Sequence, residues 1–168
     1  MRKRPAATTA AVRLLLADGA PHVLRPFAQD PRASASSGYG RGPPPRWAST
    51  PARVLKTLVA EVDGTAVLAL LPAAGRLDLR ALAAARGGGR AAPTEPAAAQ
   101  RLTGGVVGAI SPLGLHRPLP VVVDASAAAH PTVLVSAGRR GLDVELAPAD
   151  LLRLAGATYA VLGRPPSS

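Results

Sequence analysis

Arg53-Val54-Leu55-Lys56-Thr57-Leu58-Val59-Ala60-Glu61-Val62-Asp63-Gly64-Thr65-Ala66-Val67-Leu68-Ala69-Leu70-Leu71 is the stretch that decides the fold class of this chain. Two apolar runs, 53–62 and 65–71, flank Asp63-Gly64, a dipeptide that accepts the positive φ angles of a two-residue hairpin turn. The stretch predicts a β-hairpin. Lys56 is its one oddity. The chain has 20 basic side chains, and all but Lys3 and Lys56 are arginine. A lysine ammonium is a compact point charge whose pKa shifts readily on burial. On a mostly apolar strand it is costly unless it meets a partner or a ligand. Two readings stay open from the residues alone: a surface lysine on the exposed face of an edge strand, or a functional ammonium.

Outward from the hairpin, short elements follow one another. Residues 8–17 predict a helix with Val12, Leu15 and Leu16 as its apolar stripe, Thr8 or Thr9 as cap and Gly19 as stop. Residues 22–27 predict a short strand. Residues 30–50 hold Pro31, Gly38-Tyr39-Gly40 and Pro43-Pro44-Pro45, which predicts a mobile surface loop. Residues 77–86 predict a helix stopped by Gly87-Gly88-Gly89, and 94–102 a helix with Thr94 as cap and Pro96 in its first turn. Strands are predicted over 106–110, 121–124, 132–136, 142–146 and 158–162, and a helix over 148–154. The basic leader 1–7 and the tail 163–168 are read as disordered. Short strands with interspersed short helices give a mixed α/β domain, α+β in type, occupying 8–162.

At 168 residues the chain predicts one domain. With Phe27, Tyr39, Trp47 and Tyr159 as its only aromatics, its core must be built from small aliphatic side chains. There is no cysteine, so no disulfide and no thiolate metal site. His22, His116 and His130 show no ligand spacing. No apolar run reaches the length of a membrane span, and a soluble cytoplasmic protein is expected. The net charge of +10 favours polyanionic partners. A GC-rich coding bias toward arginine and alanine accounts for it equally well.

Three glycine-bearing segments stand out: 102–114, 135–141 and Gly38-Tyr39-Gly40. They are turns, or places where a ligand approaches the main chain. None is a phosphate loop or a dinucleotide fingerprint. Asp143 and Glu145 share one face of a predicted strand beside Arg139 and Arg140. They form a surface ion-pair cluster or part of a site.

Pro51-Ala-Arg-Val-Leu-Lys-Thr-Leu-Val59, Gly105-Val-Val-Gly-Ala-Ile-Ser-Pro-Leu-Gly114 and Val135-Ser-Ala-Gly-Arg-Arg-Gly-Leu-Asp-Val-Glu-Leu-Ala-Pro-Ala-Asp-Leu151, in that order, resemble the bacterial YbaK/EbsC family. These are free-standing aminoacyl-tRNA deacylases related to the editing domain of bacterial prolyl-tRNA synthetase. The resemblance runs from about Thr9 to Ala160. It implies a mixed, partly closed β-barrel with surrounding short helices. It also implies hydrolytic clearance of mischarged tRNA, above all cysteine on tRNA for proline, at a site with no metal or other cofactor.

Residue by residue, the resemblance assigns catalysis to Lys56, Gly108 and Asp143. It assigns substrate contacts to Phe27, Tyr39, Thr57 and Ser136. Arg139 and Arg140 are expected to contact the tRNA. The implied partners are the 3′ end and acceptor stem of an aminoacyl-tRNA, and prolyl-tRNA synthetase. Alternatives are a deacylase for alanine on the same tRNA and a non-catalytic tRNA-binding paralogue. The chain departs from the family pattern at Phe27, where many relatives have tyrosine, at Asp30–Ser37, at Arg41–Thr50 and at His116-Arg117-Pro118. With no activated protein nucleophile in the motifs, the attacking group is expected to be water or a group of the substrate, such as a cysteinyl thiol. Amides near Gly108 would meet the oxyanion, and Lys56 would hold the terminal phosphate or ribose.

Overall fold

The structure is a computed structural model that describes residues 8–27 and 51–164. Helix α1 (Ala10–Asp18) starts at Thr9, whose hydroxyl oxygen accepts the Val12 amide at 3.2 Å, and ends at Gly19. Ala11, Val12 and Leu15 form its buried face. Leu16, expected on that stripe, is 64% exposed, because it lies about 90° round the helix from the centre of that face. Strand β1 (His22–Pro26) stops just before Phe27.

The hairpin forms as the sequence predicts. A 3-10 turn over Pro51–Arg53 leads into β2 (Leu55–Val62), which pairs antiparallel with β3 (Thr65–Pro72) along its whole length. Asp63 and Gly64 have φ of 50° and 83°, as a type I′ turn demands. The Asp63 carboxylate accepts the amides of Gly89 and Arg90 at 2.9 and 3.0 Å. That ties the hairpin tip to the triple-glycine loop.

Next come β4 (Arg76–Leu77) and α2 (Leu79–Ala85). Leu77 belongs to the strand because Asp78 takes the cap position, accepting the Arg80 and Ala81 amides. Strand β5 (Ala91–Pro93) is an element the sequence pattern does not announce. Helix α3 (Pro96–Thr103) has Glu95, not Thr94, at its N-cap. Residues 106–110, expected as a strand, form a turn instead. The Ala109 amide donates to the Val106 carbonyl at 2.8 Å, and Gly108 has φ of 90°, which suits the third residue of a type II turn.

Strands β6 (Val121–Asp124), β7 (Val133–Arg139) and β8 (Leu142–Leu146), helix α4 (Pro148–Ala155) and strand β9 (Ala157–Ala160) complete the main body. Strand β10 (Gly163–Arg164) pairs with β4, so the first two residues of the expected disordered tail are ordered. The cause is Asp124, whose carboxylate accepts the Leu162 and Gly163 amides at 2.7 and 3.0 Å.

Five strands form one sheet in the order β5-β2-β3-β6-β9, antiparallel at the β5 side and parallel from β3 to β9. Strands β1-β8-β7 form a second, antiparallel sheet. The two sheets meet through a bridge between Val54 and Leu134. This mixed α+β arrangement is not doubly wound, and it does not close into a barrel. One face of the large sheet, with Leu55, Val59, Leu68 and Val121, packs on Leu15 of α1 and on Val135 and Val144 of the second sheet. The other, with Ala60, Val62, Val67 and Val122, packs on Leu82 of α2 and on Leu162. Leu, Val and Ala fill this core almost alone, as the shortage of aromatics predicts.

Glu145 clamps the second sheet to the start of β2. It accepts hydrogen bonds from Thr132 at 2.7 Å, Arg25 at 2.9 Å and Arg53 at 3.1 Å. The Thr132 hydroxyl, then Arg25 and Arg53, outweigh burial and hold its pKa at about 2, against an ordinary 4.5. A carboxyl whose folded pKa is depressed stabilises the fold above its unfolded pKa and loses that contribution as pH falls through the folded one. Glu145→Gln is therefore expected to lower unfolding free energy at neutral pH by about 2 kcal/mol. It is also expected to flatten the loss of stability between about pH 4.5 and about pH 2, the window set by those two values. Urea titrations across that range check both, and an acid limb like the wild type's refutes the assignment.

Candidate functional site

The site lies where β2 loses a neighbour. The Val59 carbonyl accepts the Thr94 amide at 3.1 Å, and the Asp63 amide donates to the Arg90 carbonyl at 2.9 Å. Odd-numbered residues of β2 thus turn their peptide groups toward β5. Even-numbered ones face β3, as the bond from the Ala73 amide to the Val54 carbonyl at 2.8 Å shows. Strand β5 pairs with β2 only over Ala60, Glu61 and Val62. Beyond Pro93 the chain turns away into α3, so Leu55 and Thr57 present their peptide groups to an edge that β5 has left. A cavity of about 440 Å³ opens there.

The second sheet and the α3 turn supply the other walls. Lys56 and Thr57 come from β2, Ser136 from β7, Asp143 from β8, Gly108 from the turn after α3, and Phe27 from the end of β1. The structure thus brings six of the sequence-predicted residues into one cavity. Tyr39 lies outside the described residues, as do the rest of 28–50, the leader 1–7 and residues 165–168. Arg139 and Arg140 are exposed at the β7–β8 hairpin and do not line the cavity.

Asp143 and Glu145 part company although they share a strand face. Asp143 is 9% exposed and lines the cavity, opposite Ser136 in the β7 register. Glu145 is consumed by Arg25, Arg53 and Thr132. The ion-pair cluster anticipated with Arg139 and Arg140 forms instead with Arg25 and Arg53, one from each strand or turn flanking Glu145. Ser136 sits at a bulge, where the pairing skips from Ser136 to Arg139 and the Ser136 hydroxyl accepts the Gly138 amide at 3.1 Å. The Phe27 amide donates to the Gly141 carbonyl at 2.9 Å, which anchors this ring's main chain to the same hairpin.

Lys56 is half-buried, and burial pushes its ammonium pKa below the ordinary lysine value. Among the described residues it makes no ion pair, so Asp143 shares its cavity without bridging to it directly. The apolar strand therefore holds a partly desolvated cation at the edge of the cavity.

The Gly108 turn arranges one donor. The Val107 amide is taken by the Gln100 side chain at 3.1 Å and the Ala109 amide by Val106. The Gly108 amide, between them, has no acceptor among the described residues. The hydroxyls of Thr57 and Thr94 are buried and likewise lack partners among those residues. Thr94 is the residue sequence reasoning missed. Its place two residues before Pro96 looks like a helix cap, and only β5 pairing turns it to the cavity. The remaining walls are apolar, from Val54, Leu77, Leu79, Ala99 and Ile110 among others.

Residues 48–154 match the model of the aminoacyl-tRNA editing domain. The chain belongs to that family. It is 34% identical over 109 residues, 64% of this chain and 66% of the relative, to EbsC of Enterococcus faecalis, named for Cys-tRNA(Pro)/Cys-tRNA(Cys) deacylation. It is 39% identical over 105 residues, 60% of this chain and 63% of the relative, to ProXp-y of Escherichia coli, named a multifunctional Ser/Thr-tRNA deacylase. The chain spans just under two thirds of the length of these curated relatives. A solved structure described as a trans-editing enzyme for prolyl tRNA synthetase shares the fold, with a TM-score of 0.75 and 24% identity over 97% of this chain and 99% of that one. Among the described residues no helix is long and apolar enough to cross a membrane.

Lys56 should titrate at lower pH than Lys3, the only other lysine. Following both side-chain ammonium signals by NMR through a pH series checks this. Identical midpoints would remove the desolvated-cation assignment.

Proposed function

We propose that this chain is an aminoacyl-tRNA deacylase that acts in trans, clearing a mischarged amino acid from the 3′ end of tRNA by cleaving its ester. The observation that carries the proposal is one cavity holding Lys56, Thr57, Gly108, Ser136 and Asp143, drawn from both sheets and the α3 turn. Family membership and the names of the two curated relatives support it. A small acyl group fits the reading. Cysteine on tRNA for proline is the substrate the sequence resemblance implies, with alanine on the same tRNA as the competing one. Prolyl-tRNA synthetase as a partner, and a cytoplasmic location where tRNA is charged, belong to the same proposal.

Ester hydrolysis needs a nucleophile, a donor for the oxyanion and a grip on the ribose-phosphate end. No cysteine and no histidine lines the cavity, which favours water or a substrate group as nucleophile. The unpartnered Gly108 amide is the donor suited to developing negative charge. Lys56, poorly solvated in its apolar surroundings, attracts a phosphate or ribose oxygen more strongly than an exposed lysine would. It thereby fixes the ester for attack. Asp143 has the opposite charge in the same cavity and suits the substrate α-ammonium or the attacking water. Catalysis then rests on positioning and electrostatics.

Lys56→Ala is expected to remove most deacylation in a panel of charged tRNAs while the fold persists. Lys56→Arg should fail too, because a planar guanidinium does not replace a compact ammonium. Near-normal rates in both would refute the role. In single-turnover assays Asp143→Asn should lose far more than Glu145→Gln, whose carboxylate lies outside the cavity. Equal small losses would return Asp143 to a structural part. Phe27→Tyr should change rates by about tenfold at most, the size of one hydrogen bond. If it instead restores hydrolysis to an inactive wild type, the non-catalytic paralogue is the correct reading.

Exposed Arg139 and Arg140 suit backbone phosphates of the acceptor stem. Affinity for tRNA should fall steeply with salt, and replacing both arginines by alanine should make that slope shallower. A flat salt dependence in the wild type would leave the high charge as compositional only.

A further inference from the structure

We infer that Thr57 and Thr94 form a hydroxyl pair that reads the side chain of the bound amino acid, favouring one that carries a hydroxyl. The inference rests on the deacylase reading and adds to it the acyl group and the residues that select it. Both threonine oxygens are buried, and neither has a hydrogen-bond partner among the described residues. Both residues line the cavity. Thr94 lies opposite Val59, to whose carbonyl its amide donates, and Thr57 is two residues from Val59 on the same strand. Side chains alternate along a strand, and directly opposed residues share a face. Thr57 and Thr94 therefore stand on one face of the sheet, across the edge that β5 has left.

A buried hydroxyl without a partner is costly, and valine would fill the same volume without that cost. Each hydroxyl can both donate and accept one bond. A ligand group that does the same satisfies the pair. A seryl or threonyl hydroxyl qualifies fully, a cysteinyl thiol is a weak donor and acceptor, and an alanyl methyl leaves both oxygens unpaired. A site built around hydrogen-bonding groups rejects the analogue that lacks them, since its own polar atoms then stay buried and unmet. The expected order is serine or threonine, then cysteine, then alanine.

The test uses two readouts on the full chain. The first is calorimetric binding of non-hydrolysable 3′-aminoacylamino-3′-deoxyadenosines bearing serine, cysteine or alanine. The second is deacylation of the corresponding tRNAs. Wild type should bind the seryl analogue about tenfold more tightly than the alanyl one. Thr94→Val and Thr57→Val should each shrink that ratio, mainly by weakening the seryl analogue, whereas Thr94→Ser should keep it. Thermal midpoints of the valine variants should equal or exceed that of the wild type. Equal binding of seryl and alanyl analogues by wild type overturns the inference. So does a uniform loss across all three analogues in the valine variants, which would place the pair on the α-ammonium or the ribose. Failure of the deacylase reading looks different: the analogues are discriminated, yet no ester is hydrolysed.

Discussion

Strand β2 is hydrogen-bonded to β3 along its whole length and to β5 along only its far end. That unequal pairing is the constraint on which the site depends. A central strand has no room for a ligand at its edge, and a fully free edge invites non-specific pairing. Here Pro96, which opens α3, ends β5 early. The second sheet and the α3 turn then wall the open edge off. Lys56 and Thr57 occupy that short unpaired segment, so one interruption in a ladder creates the cavity and places a cation at it.

The electrostatics follow from the same geometry. Adjacent carboxylates on β8 meet different surroundings, although the strand gives them the same side. Glu145 meets two guanidinium groups and a hydroxyl and becomes part of the frame. Asp143 reaches the cavity, where polar atoms are few and apolar walls raise the worth of each charge. Lys56 is desolvated without a balancing ion pair among the described residues. The ion pairs of Glu145 thus lie outside the cavity, and Lys56 lies at it.

Much of the fold was legible in the sequence because it rests on local rules. The Asp63-Gly64 turn, the Thr9 and Gly19 caps of α1, and strands β6 and β8 all follow from turn chemistry, capping or apolar runs. The failures also have physical causes. Residues 106–110 have strand-like letters, but positive φ at Gly108 makes a turn. Strand β5 is three residues of Ala-Ala-Pro with no pattern of its own, and it exists only because β2 offers it a partner. The ordering of Gly163 depends on Asp124, nearly forty residues earlier, which no local pattern contains.

The site divides along the same line. Readable along the chain are the hairpin, the solitary lysine on it, the aliphatic core and the ordered motifs that mark the editing-domain family. These are properties of residue type and spacing. Tertiary structure alone decided that Asp143 and not Glu145 reaches the cavity and that Arg139 and Arg140 stand outside it. It also decided that the free donor at the turn is the Gly108 amide and that Thr94 is a cavity residue and not a cap. Each of those outcomes depends on which groups are already hydrogen-bonded across strands distant in sequence. Spacing along a single chain does not encode that competition for partners; only the folded pairing settles it.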